Sequence, residues 1–171
     1  LFEQTDYASW LYPVTQGATS IWERWNSYTV EGGFNGNNSM YSFNHFSLGA
    51  ISEWMMSYQL GITREDGQAG YKSFVLQPTV GGTFTYANGS YESNYGTIES
   101  GWTAKDGAME TYTATVPANT TATLYLPISE EQAKATTAPE GAAFVEMTEH
   151  NGTICAVYTL ESGSYAFTIG A

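Results

Sequence analysis

The spacing of apolar residues changes near residue 64, from three-and-four to two. A chain with both periods must join a helical part to a strand part. Before the change, Leu48, Ile51, Met55 and Tyr58 recur at helical spacing. The spacing predicts a helix over 43–60, with Ser42 as its N-cap and Gly61 as its stop. Phe46, Ala50, Trp54 and Met56 lie on its other faces, so this helix is expected to be packed on most sides. Residues 17–25 are expected to form a short helix, and 28–41, with its GGF and NGNN runs, a loop. After the change, Tyr112, Ala114 and Val116 alternate with threonines, as do Ala122, Leu124 and Leu126. Ala143, Val145 and Met147 form a third series, Ile154, Ala156, Tyr158 and Leu160 a fourth, and Tyr165, Phe167 and Ile169 a fifth. Asp106-Gly107, Pro117-Ala118-Asn119, Asn151-Gly152 and Ser162-Gly163 mark turns between them. Short strands with one polar face read as an antiparallel β-sandwich. Residues 129–135 are expected to form a helical turn. The fold class is therefore α+β, with helices over residues 1–64 and a sandwich over 65–171, divided in REDGQAG. The opening LFEQTDYASWLY reads as the tail of a helix, so the chain is expected to be part of a longer protein.

Charge narrows the function. Seventeen acids against five bases give a formal net charge of −12. Nucleic acid and anionic membrane surfaces both require clustered Lys and Arg, so neither is an expected partner. No apolar run is long enough to span a bilayer. The single cysteine, Cys155, cannot form an internal disulfide and leaves the compartment undecided. It sits in an apolar run and reads as a small buried hydrophobe.

Nucleophile, phosphate-loop and redox motifs are absent. Two histidines, His45 and His150, are far apart in sequence, so neither a metal site nor a cofactor is expected. His150 reads as a solvated turn residue. What remains is carboxylates beside aromatic residues, the vocabulary of sugar chemistry. Rings stack on the C–H faces of sugars, and paired carboxyls catalyse glycoside hydrolysis. The stretch SIWERWNSY, residues 20–28, sets Glu23 and Arg24 between Trp22 and Trp25. Neighbouring rings exclude water from a carboxylate and make it a stronger base while it stays ionised. On a helix, residues 23 and 24 would point about 100° apart and need not pair. By pattern, Glu23 fits a structural ion pair as well as a general base, and the former is the commoner. His45 falls in the first turn of the expected helix, where a neutral imidazole is favoured. Such a ring both donates to and accepts from a sugar hydroxyl, though a core or capping histidine fits as well.

Five stretches, in order, carry a resemblance: SWLYPVTQGATSIWERWNS, SFNHFSLGAISEW, GYKSFVLQP, YESNYGTIESGW and TVPANTTATLYLP. Together they resemble the C-terminal part of the bacterial α-L-rhamnosidases of glycoside hydrolase family 78, from about residue 6 to 126. The resemblance implies the last helices of an (α/α)6 barrel followed by an antiparallel β-sandwich. It implies an inverting hydrolase that releases terminal α-L-rhamnose from rhamnose-containing glycosides. It places the general base on Glu23 and a sugar contact on His45, with Trp22 and Trp25 as pocket walls. The general acid would lie in the remaining catalytic domain of the parent chain, so this chain alone is expected to be inactive. The alternative is a non-catalytic module, with the sandwich either binding carbohydrate through Trp102, Tyr91 and Tyr95 or serving as a scaffold.

Overall fold

The computed structural model describes residues 2–34 and 39–170. Residues 35–38, the NGNN of the expected loop, lie outside the described residues, as do Leu1 and Ala171. The chain forms two compact units, Leu1–Glu53 and Trp54–Ala171.

The first unit has little regular structure. Helix α1 spans Leu11–Thr15, with Pro13 buried. Residues 2–10 and 17–25 are turns and bends, so neither the helix tail at the start nor the short helix over 17–25 forms. Its aromatic residues meet edge to face instead: Trp22 on Phe43 at 5.2 Å between ring centres, Tyr28 on Phe34 at 5.4 Å, and Phe34 on Phe43 at 5.8 Å. These rings hold non-helical backbone in place.

The helix expected over 43–60 starts later and changes pitch. It opens as a 3₁₀ turn at Ser47–Ala50, continues as α2 at Ile51–Trp54, and ends as a π turn at Met55–Gln59. Ser42 does not cap it: the helical stretch begins only at Ser47, and the Ser42 hydroxyl accepts the Asn44 N–H over 3.3 Å instead. The ring of His45 takes that part, accepting the Ser47 N–H at Nδ1 over 3.2 Å. Nor is the helix packed on most sides: Phe46 is 86% exposed and Tyr58 60%. The stop at Gly61 is as expected, at φ +73°. A side chain there would place its Cβ 2.0 Å from the Gln77 carbonyl carbon. Gly61→Ala is therefore expected to destabilise by at least 2 kcal/mol, roughly the scale of backbone strain with a clash added. A melting temperature within 2 °C or so of the parent would contradict this.

The second unit is a two-sheet sandwich. Its strands are β1 Ile62–Arg64, β2 Ser73–Leu76, β3 Tyr86–Ser93, β4 Gly96–Lys105, β5 Ala108–Val116, β6 Thr121–Leu126, β7 Ala142–His150, β8 Thr153–Leu160 and β9 Gly163–Thr168. One sheet has the order β1-β2-β6-β8-β7, the other β3-β4-β5-β9. Only β2 and β6 pair in parallel among the described strands. Phe74, Leu76, Leu124, Leu126, Tyr158 and Leu160 from the first sheet meet Ile98, Trp102, Tyr112, Val116 and Phe167 from the second in one core. The alternation in β5 and β6 puts the expected residues inward. Asp106-Gly107 and Asn151-Gly152 have positive φ at both positions, the requirement of a two-residue type I′ hairpin. Helix α3, Glu130–Ala135, starts at a capping box between Ser129 and Gln132.

Two strands depart from simple alternation. In β7 the register shifts between Phe144 and Glu146, so Ala142 and Met147 pack on the core while Ala143 and Val145 are exposed. A bulge of this kind reverses the inward face on an edge strand. In β8, Ile154 is 53% exposed, and Cys155 is buried with Ala156 beside it. His150 is half-buried, with its ring stacked on Tyr125 at 3.9 Å, rather than a solvated turn residue.

Candidate active site

Two segments of the first unit lie against each other in opposite directions. The Glu23 N–H donates to the Ser42 carbonyl over 2.9 Å, and the His45 N–H to the Ile21 carbonyl over 2.9 Å. The Ser20 hydroxyl donates to the Phe43 carbonyl. These bonds join the two segments without forming a regular strand pair, and they replace the helix expected over 17–25.

Glu23 is held twice by one residue. Besides the main-chain bond, its Oε2 accepts the Ser42 N–H over 3.0 Å. A charge-assisted bond from a backbone donor fixes the plane of the carboxylate. Its other oxygen, Oε1, faces His45 Nε2 at 3.8 Å, too far for a hydrogen bond. The two side chains are part-buried, 18% exposed for Glu23 and 30% for His45. A neutral ring whose Nδ1 accepts the Ser47 N–H carries its proton on Nε2, the nitrogen 3.8 Å from Glu23 Oε1. A carboxylate oxygen and an imidazole N–H thus converge on one small space. Such a pair can hold a water or sugar hydroxyl between an acceptor and a donor.

Arg24 does not pair with Glu23. Among the described residues it makes no ion pair, and its guanidinium lies 4.9 Å from the centre of the Tyr41 ring. Its buried Nε finds no hydrogen-bond partner among the described residues. The two tryptophans part company. Trp22 is 5% exposed, packed on Phe43 and Tyr28. Trp25 meets Trp10 at 4.9 Å, and Trp10 is tied through its indole N–H to the Leu48 carbonyl at 2.8 Å. Ser42 and Tyr41 were not legible as site residues. Ser42 acts through its backbone, which leaves no trace in residue type.

The aromatic platform expected on the sandwich does not exist as a set. Trp102 is 3% exposed, with its indole N–H bonded to the Gln59 carbonyl at 2.8 Å. Tyr91 packs on Tyr71, and Tyr95 lies under Lys72. No group of three or more metal-ligating side chains occurs among the described residues.

Comparison with known proteins gives matches over both units. Residues 1–58 match the family model for the bacterial alpha-L-rhamnosidase 6 hairpin glycosidase domain. Residues 61–139 match that for the bacterial alpha-L-rhamnosidase C-terminal domain. An alpha-L-rhamnosidase of Streptomyces avermitilis is 36% identical over 169 residues, 99% of this chain and 15% of that protein. One from Formosa agariphila is 41% identical over 132 residues, 77% of this chain and 14% of that protein. The crystal structure of Streptomyces avermitilis alpha-L-rhamnosidase complexed with L-rhamnose superposes with a TM-score of 0.82, covering 98% of this chain and 15% of that one, at 36% identity. The chain thus spans about 15% of the length of these relatives.

Proposed function

Because the chain belongs to the bacterial α-L-rhamnosidase family, we propose that it supplies one half of a glycosidase active site, with Glu23 as the general base. The substrate is a glycoside ending in α-L-rhamnose, and hydrolysis proceeds with inversion. The observation that carries this reading is the asymmetric hold on Glu23: Oε2 is taken by the Ser42 N–H, and Oε1 is left toward His45.

Glu23 Oε1 takes a proton from a water. The water oxygen attacks the anomeric carbon on the face opposite the leaving group, and a C–O bond forms there as the glycosidic bond breaks. A second carboxyl, on a part of the parent protein outside this chain, protonates the departing oxygen. Inversion needs those two carboxyls roughly 6.5–9.5 Å apart with the water between them. His45 donates from Nε2 to a rhamnose hydroxyl. Trp22, through Phe43 and Tyr28, and Trp25, through Trp10, supply the walls around the site.

The remaining catalytic domain of the parent covers what this chain leaves open. Val14, Val30, Phe34, Met40 and Phe46 are each more than half exposed, a large apolar area for a unit of this size. Residues 1–64 belong with that helical domain, and residues 65–171 form its scaffold. The burial of Trp102 favours a scaffold over a sugar-binding module.

Three results test this. The chain alone should release nothing from an aryl α-L-rhamnoside that the complete enzyme cleaves; turnover by the chain alone would place both carboxyls within it. Proton NMR of the complete enzyme's reaction should show the β anomer first; the α anomer first would exclude inversion. His45→Ala should raise KM about tenfold, the worth of one to two hydrogen bonds to the sugar, with a smaller change in kcat. Unchanged KM and kcat would remove His45 from the site.

A further inference from the structure

We infer that Arg24 is a positioning residue, which holds the Glu23 carboxylate in place through Tyr41 and Ser42 without touching the substrate. This rests on the reading of Glu23 as the base. The geometry repeats on both sides of the glutamate. Trp22, one residue before it, packs edge-on against Phe43, one residue after Ser42. Arg24, one residue after it, lies on the face of Tyr41, one residue before Ser42. Two side-chain contacts thus flank the Glu23–Ser42 pair. Displacing Tyr41 would take the adjacent Ser42 N–H away from Oε2.

Arg24 is suited to this by what it lacks. It has no carboxylate partner among the described residues, and its Nε is buried without an acceptor. Its main chain is pinned by the Ser27 hydroxyl, which accepts the Arg24 N–H at 3.3 Å and donates to the Arg24 carbonyl at 3.1 Å. A planar guanidinium stacks on a ring as a lysine ammonium does not. The Tyr41 hydroxyl in turn donates to the Phe34 carbonyl, which fixes the far edge of the ring. Charge, plane and ring together place Ser42.

The experiment is a kinetic cycle in the complete enzyme. Arg24→Gln and Tyr41→Leu should each lower kcat roughly 10- to 100-fold, the scale of an ångström of misplacement, with KM changed less than about threefold. Arg24→Lys should recover only part of the loss. The double variant should be no slower than the worse single one, since both act through one contact. In a Glu23→Gln background, Arg24→Gln should add nothing further. Additive losses, or a further drop in the Glu23→Gln background, would overturn the inference. A normal kcat for Arg24→Gln with a collapsed kcat for Glu23→Gln would remove Arg24 alone and leave the base standing. A normal kcat for Glu23→Gln would remove the underlying reading itself. Circular dichroism of each variant separates misfolding from misplacement.

Discussion

Glu23→Gln in the complete enzyme should lower kcat by about 10²- to 10⁴-fold, the usual contribution of a general base. Rhamnose affinity should change little. The amide has the carboxylate's shape, and its oxygen can still accept the Ser42 N–H, so the 3.0 Å contact survives. What it loses is the ability to take a proton. The water is then held in place but not activated, and the transition state loses more than the ground state. Kinetics on an aryl rhamnoside, with rhamnose binding measured by calorimetry, would separate the two. Turnover within a few-fold of the parent would sink the assignment. Loss of binding in step with turnover would make Glu23 a sugar-positioning group instead.

Tyr112→Ala should cost about 3–5 kcal/mol of stability, the range for removing a large buried ring. Tyr112 is fully buried, 6.3 Å from Phe167 on the neighbouring strand. Its hydroxyl starts a short relay: it donates to Ser100 Oγ at 3.1 Å, and Ser100 donates to the Leu60 carbonyl at 2.6 Å. Tyr112→Phe leaves the Ser100–Leu60 bond intact, so it should cost only about 1 kcal/mol. Burial pushes the Tyr112 phenol well above its ordinary value of 10.0. The unfolded chain therefore releases this proton at lower pH than the folded one. The contribution to stability is complete below pH 10 or so and falls as pH rises beyond it, by at most about 1.4 kcal/mol per pH unit. Tyr71, Tyr158 and Tyr165 are pushed the same way by burial, so the parent should lose stability steeply in alkali. Tyr112→Phe should lose it less steeply. Equal alkaline slopes for parent and variant in denaturant titrations would show that Tyr112 ionises without unfolding the sandwich.

Much of the sandwich was legible because its signals are local. Thr-flanked alternation in β5 and β6, Asp-Gly and Asn-Gly at hairpins, and Ser129 three residues before Gln132 each act within a few residues. The edge strand β7 was misjudged at Val145, since a bulge leaves the residue pattern intact while reversing its faces. The first unit was misjudged more widely. Residues 17–25 and 43–46 carry apolar spacing that suits a helix, yet their backbone groups are bonded across the chain, residue 23 to 42 and residue 45 to 21. Those long-range bonds outweigh the weak helical preference of an aromatic-rich stretch.

The sequence by itself determined the change of period near residue 64, the sandwich that follows it, and where its hairpins fall. Its resemblance to a known family marked Glu23 and His45. Period and turn chemistry are properties of neighbours along the chain, so they survive in the residue order. The tertiary structure alone decided that Arg24 leaves its adjacent glutamate for Tyr41, that Trp22 and Trp25 face different partners, and that Ser42 holds Oε2 through its backbone. Such contacts join residues about twenty apart, and one of them uses an N–H that almost every residue has. No spacing along the chain could specify them.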